Sequence, residues 1–114
     1  MTALHQNLAS GRWFELSLYE QMGNIGTEVG RVIRARKQND KIASDNAVER
    51  ALELFDLTIT DPRRKNQLKE IIRAREVFVD AISEKKEYNV DLESTDKYLM
   101  QFAMASRLNR WQAD

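Results

Sequence analysis

Two arginine–tryptophan pairs, Arg12-Trp13 and Arg110-Trp111, stand near the two ends of the chain, and a basic turn, Arg63-Arg64-Lys65, lies between them. Guanidinium and ammonium groups neutralise phosphate, and an indole offers a flat face on which an unpaired base stacks. Arg12, Trp13, Arg63, Arg64, Lys65, Arg107, Arg110 and Trp111 are therefore the residues from which a surface for RNA or DNA would be built. A plainer alternative is that the tryptophans plug the end of a helical bundle and the cations pair with Glu15, Asp56 and Asp61.

Other chemistry has thinner support. His5 is the one histidine and cysteine is absent, which removes thiol chemistry, disulfides and thiolate metal sites. A di-iron centre in a helical bundle needs Glu-x-x-His pairs, and the chain has none. Magnesium held by paired carboxylates would have to use Glu84-x-x-Glu87 and Glu93-x-x-Asp96, which crowd around one loop rather than facing each other from two helices. No histidine base is near the serines in sequence, and there is no glycine-rich phosphate cradle. The expectation is a protein without catalytic, cofactor or metal residues.

The chain has 114 residues, 42% of them hydrophobic, with 18 basic and 18 acidic side chains and no net charge. That length predicts one domain over residues 1–114, its first ten residues flexible, with about two-thirds of its surface buried. Neutrality gives the whole molecule no field that favours nucleic acid. Charge is nevertheless blocked: Arg31, Arg34, Arg36, Lys37 and Lys41 form one basic run, and Arg63 to Arg75 another, with acidic stretches between and after them. Such blocks read most simply as solvated helix faces that pair with a neighbour. No apolar run approaches the ~20 residues of a membrane span, and the first residues lack the features of a secretory signal. A cytoplasmic protein with no membrane partner is expected.

With one proline and four glycines, long helices are permitted almost everywhere. The first should begin after Ser10 and run to about Lys37, its inner stripe Phe14, Leu18, Met22, Ile25, Val29, Val32 and Ile33 stepping by three or four. Asn39-Asp40 ends it, and Asp40 or Ser44 can cap a second helix over 42–60 with Ala43, Ala47, Ala51, Leu54, Phe55, Thr58 and Ile59 inward. Asp61-Pro62 joins a capping carboxylate to a proline at the first helical position, and opens a third helix to about Ile82. Its inward residues are Leu68, Ile71, Ile72, Phe78, Val79 and Ile82. Residues 83–93 read as a long loop. Ser94 is the expected cap of a fourth helix with Tyr98, Leu99, Phe102, Ala105, Ser106 and Asn109 inward. Short connections favour an all-α, up-and-down antiparallel four-helix bundle with a long first helix.

The first helix is the anomalous one. At 1.5 Å per residue it would span about 40 Å against about 30 Å for the second, so Trp13, Phe14 and Leu16 would overhang and need cover. It also carries Gly23, Gly26 and Gly30 on one side. Each helix-interior glycine is worse than alanine by about 1 kcal/mol, so the set needs a reason. Close packing inside the bundle, a tight homodimer crossing and a bound ligand are the three available. Gly23, Gly26, Gly30 and Phe14 are the candidate packing or oligomer face.

Four stretches, residues 12–18, 23–29, 51–63 and 73–80, resemble short uncharacterised bacterial proteins, a resemblance that carries no activity with it. In architecture the chain is also similar to the four-helix-bundle proteins of ribosomal RNA intervening sequences and to the accessory bundles of diversity-generating retroelements. Those likenesses imply a basic oligomer associated with nucleic acid. The residues themselves point first to a non-enzymatic bundle that binds a protein partner or itself. An RNA- or DNA-binding accessory protein using the basic pole is the alternative.

Overall fold

Ser17 and Glu20 settle where the first helix starts. Ser17 Oγ accepts from the Glu20 amide at 3.1 Å, and Glu20 Oε1 accepts from the Ser17 amide at 2.9 Å. This reciprocal cap satisfies two of the amides a helix start leaves open. It begins α1 (Leu18–Lys37) several residues later than the apolar spacing predicts. Before it, Arg12–Glu15 form one 3-10 turn, and Leu16 is extended, with φ −81° and ψ 149°. The long first helix expected from residue 11 is therefore broken at Leu16–Ser17. The overhang disappears with it, since α1 has 20 residues and α2 (Lys41–Ile59) has 19. Trp13 folds back into the core and is fully buried, and Phe14 and Leu16 pack against that core partly covered.

The computed structural model describes residues 11–83 and 91–108. Expectations placed on residues 1–10, on Glu84 and Glu87, and on Asn109, Arg110 and Trp111 lie outside the described residues. Among the described residues every regular element is helical, and four α-helices pack together.

The turns are explained by their residues. Asn39 takes the left-handed conformation (φ 56°) that lets α1 close off, a position asparagine tolerates better than most. Asp40 then caps α2 by accepting from the Ala43 amide at 3.0 Å. Asp61 accepts from the Arg63 amide at 3.0 Å, but the residues after it, Pro62–Gln67, form a 3-10 segment with Arg64 off helical geometry. α3 proper is Leu68–Ile82. α4 is Leu92–Arg107, and its cap is Asp91, which accepts from the Ser94 amide at 2.8 Å. Ser94, the expected cap, is thus inside the first turn, because the carboxylate three residues earlier takes its amide.

α1 packs against α2 and α4, and α3 packs against the same two. The core between them holds Met22, Ile25, Val29 and Val32 of α1, Ala51, Leu54 and Phe55 of α2, Ile71, Ala74 and Phe78 of α3, and Leu99 and Phe102 of α4. Burying each of the larger apolar side chains contributes roughly 1.5–3 kcal/mol. Phe55 and Phe78 meet with ring centroids 5.9 Å apart. Polar ties cross the seams: Arg75 to Asp56 at 2.9 Å, Tyr98 to Glu70 at 2.6 Å and Arg36 to the Ile82 carbonyl at 3.0 Å. Several expected inward residues are not inward. Ala43 is exposed with Ser44 buried in its place, and Ile72 and Val79 are exposed while Ala74 and Ala81 are buried. Ala105 and Ser106 are only half-buried, and Ala103 faces the core.

Candidate functional site

The break at Leu16 has a chemical consequence. A carbonyl inside a continuous helix is taken by an amide four residues on, whereas that of Leu16 is left for other donors. Two guanidiniums take it: Arg63 Nη2 donates to it at 2.6 Å and Arg64 Nη2 at 3.1 Å. Gln21, fully buried, sits beside them. Its Nε2 donates to the Trp13 carbonyl at 3.0 Å and to Asp61 Oδ2 at 2.9 Å, and its Oε1 accepts from Arg64 Nε at 2.7 Å. Arg63 also holds Asp61 directly, Nη2 to Oδ2 at 2.8 Å. The Trp13 indole N–H donates to Thr58 Oγ1 at 3.0 Å, and the Thr58 hydroxyl donates to the Leu54 carbonyl at 2.8 Å.

Burial pulls the Asp61 carboxyl upward, but the hydrogen bonds from Arg63 and Gln21 and the charge of Arg63 outweigh it and hold the group below its ordinary value. The carboxylate is therefore ionised at neutral pH and bound on both oxygens. Of the residues read as a nucleic-acid surface, Trp13, Arg63 and Arg64 come together here, turned toward their own chain. Arg64 is wholly buried, and the Arg63 side chain keeps 34% of its surface. Arg12, Lys65 and Arg107 are exposed. Arg107 reaches the start of α1, its guanidinium 5.4 Å from the centre of the Tyr19 ring.

The glycine side of α1 is different in kind. Gly23 is exposed and Gly26 and Gly30 are half-buried. A methyl group added at Gly23 or Gly26 would meet nothing within 4 Å, and at Gly30 only Arg34 Nη1, at 3.6 Å. Close packing within the described chain is thus not what these glycines serve. They form the floor of a groove of about 420 Å³, whose other wall is α4 with Asp96, Leu99, Met100, Ala103 and Met104. Met100 is 64% exposed, Met104 44%, and Leu108 just beyond them 60%. Asp96 makes no hydrogen bond or ion pair with the described residues, and burial alone raises its carboxyl above the ordinary value. The groove is more apolar than polar, with Thr27, Arg34 and Asp96 among its lining residues.

Several charged residues elsewhere are paired. Glu28, buried on α1, binds Arg31 at 2.9 Å and Arg50 of α2 at 3.1 Å. Tyr98 is pushed above its ordinary range, first by burial and then by its bond to Glu70. Among the described residues no cluster of acidic or histidine side chains could hold a metal ion, and no helix is long and apolar enough to cross a membrane.

No family model, no curated protein and no solved structure matches the chain.

Residue type and spacing single out Trp13, the arginines of the turn and the three glycines. They pass over Gln21, whose ordinary polar side chain carries no spacing signal, and they place Thr58 inward without pointing to its bond with Trp13. They also pass over Met100 and Met104, and take up Asp96 only as half of a carboxylate pair with Glu93. A signal for these did exist: Asp96, Met100 and Met104 step by four, a second stripe beside the core-facing one.

Proposed function

We propose that this chain is a non-enzymatic interaction module: an up-and-down antiparallel bundle that presents its open α1–α4 face to another protein chain. Support for the topology comes from end-to-end contacts. Asn39-Asp40 turns α1 tightly into α2, Trp13 meets Thr58 near the end of α2, Arg36 meets the end of α3, and Arg107 lies over Tyr19. The single observation that carries the functional reading is the groove. Three glycines cost α1 roughly 3 kcal/mol in helix propensity, and two of them, Gly23 and Gly26, lie under open space beside two exposed methionines. An apolar surface of that kind on a small domain favours protein contact. A cytoplasmic location and kinship with bacterial accessory bundles belong to the same proposal.

Nucleic-acid binding by the basic pole ranks behind it, because Arg63 and Arg64 spend their donors on Leu16, Asp61 and Gln21. Among the described residues of that set, Arg12, Lys65 and Arg107 would have to carry most of the phosphate contacts. Photo-crosslinking residues separate the two. Placed at Met100, such a residue should capture polypeptide. Placed at Lys65, it should leave added RNA and DNA uncaptured at low salt, about 50 mM, where phosphate contacts are strongest. Capture of nucleic acid at Lys65 with nothing at Met100 would reverse the ranking.

A further inference from the structure

The groove has one flat wall and one raised wall. α1 contributes Gly23, Gly26 and Gly30, which have no side chains, while α4 contributes Met100 and Met104, which stand out of the surface. A two-fold rotation about an axis lying along the helices exchanges the walls, so each ridge descends on the other copy's flat. We propose that the groove is filled by α4 of a second copy of this chain, in an isologous dimer. The proposal rests on the reading of the α1–α4 face as a protein interface.

Heights along the helices match. α4 begins beside the end of α1, where Asp91, Leu92 and Glu93 border a hollow with Ile33, Arg36 and Lys37. It finishes beside the start of α1, where Arg107 covers Tyr19. Rotation about the helix direction keeps each residue at its own height. Met100 and Met104 of one copy therefore settle over Gly26 and Gly23 of the second, where absent side chains allow close approach and flexible thioethers fill what remains. At the far end, Asp96 comes over Gly30 of the second copy, where the Arg34 guanidinium of that copy folds back, its Nη1 3.6 Å from where a Gly30 methyl would stand. Neither group bonds to the described residues of its own chain, and the symmetry makes the pairing occur twice. Charge and shape thus agree on the same arrangement, which no unrelated partner would be required to match.

Exchange of the two charges tests this on the full chain. By sedimentation, the natural protein should dimerise, while Asp96→Arg and Arg34→Asp should each weaken self-association at least about tenfold, since each places like charges together twice. An equimolar mixture of the two variants should dimerise again to within a few-fold of the natural protein, because both contacts are then opposite in sign. Neither variant's own chain regains a pair on mixing, so recovery reports the contact between copies. Circular dichroism melts establish that each variant is folded. Met100→Lys, at an exposed position, tests the ridge independently and should also weaken the dimer at least about tenfold, since it buries an unpaired charge. A natural protein that stays monomeric at high micromolar concentration, or a mixture that fails to associate, would overturn the dimer. A monomer whose Met100 crosslinker captures a different polypeptide, or residues 109–114 of its own chain, overturns the second copy alone; a monomer that captures nothing removes the interface reading as well.

Discussion

A guanidinium taken out of water is tolerated only where carboxylate and carbonyl oxygens replace that water, and Arg64 has the Leu16 carbonyl, Gln21 Oε1 and the nearby Asp61 carboxylate. Removing it leaves Gln21 Oε1 buried without its donor and takes from the Leu16 carbonyl and Asp61 one of the two guanidiniums that face them. Arg64→Ala should therefore lower stability by about 3–5 kcal/mol in urea denaturation, the range for breaking one side of a buried charged pair. A loss below about 1 kcal/mol, the level of an exposed pair, would mean the arginine is not locked as described. Asp61 adds a pH dependence with a definite sign. Its folded value lies below its unfolded one, so the stability it contributes is complete above about pH 4 and is lost as pH falls through the folded value. Melting temperatures followed from pH 7 to pH 3 should fall at the acid end, and Asp61→Asn should start lower at neutral pH and fall less. The residue types at this pole were legible in the sequence as tryptophan, arginine and a capping aspartate. Their inward direction was not, because charge suggests solvent until a freed carbonyl and a buried glutamine are known to face it.

At the scale of elements, the four helices were readable from apolar steps of three and four, which no strand pattern contested. The start of α1 was misread for a physical reason. Phe14, Leu18 and Met22 step by four straight across Leu16–Ser17, and that period masked the Ser-x-x-Glu cap that ends it. Local hydrogen bonding won over the periodic stripe. Ser17→Ala should lower stability by about 1 kcal/mol and speed amide exchange through the first turn of α1, a typical value for a lost N-cap. Trp13 depends on the same break, since only the turn before it folds the indole onto α2. Trp13→Ala should cost about 3–5 kcal/mol, as for other buried aromatic residues, and an unchanged melt would contradict its place in the core. Exposed Ile72 and Val79 show the limit of periodicity: α3 has apolar residues on two sides, and only packing decides which side is covered.

For the whole molecule, the unanswered question in the sequence was why a bundle with so few glycines puts three on one side of its longest helix. Spacing alone could not separate packing within the chain from packing between chains, because both demand close approach. Open space above Gly23 and Gly26 removes packing against the described residues of the same chain, and packing between copies is what we propose in its place. The most direct measurement is made on Gly26→Ala, with thermal stability under dilute monomeric conditions and self-association at higher concentration determined on the same sample. Within the monomer the added methyl meets nothing and improves helix propensity, so stability should rise by about 1 kcal/mol. In the dimer we propose, the same methyl would lie where Met100 must settle, so dimerisation should weaken. Opposite signs in the two measurements are the predicted result; a stabilised protein whose association is unchanged would contradict the interface.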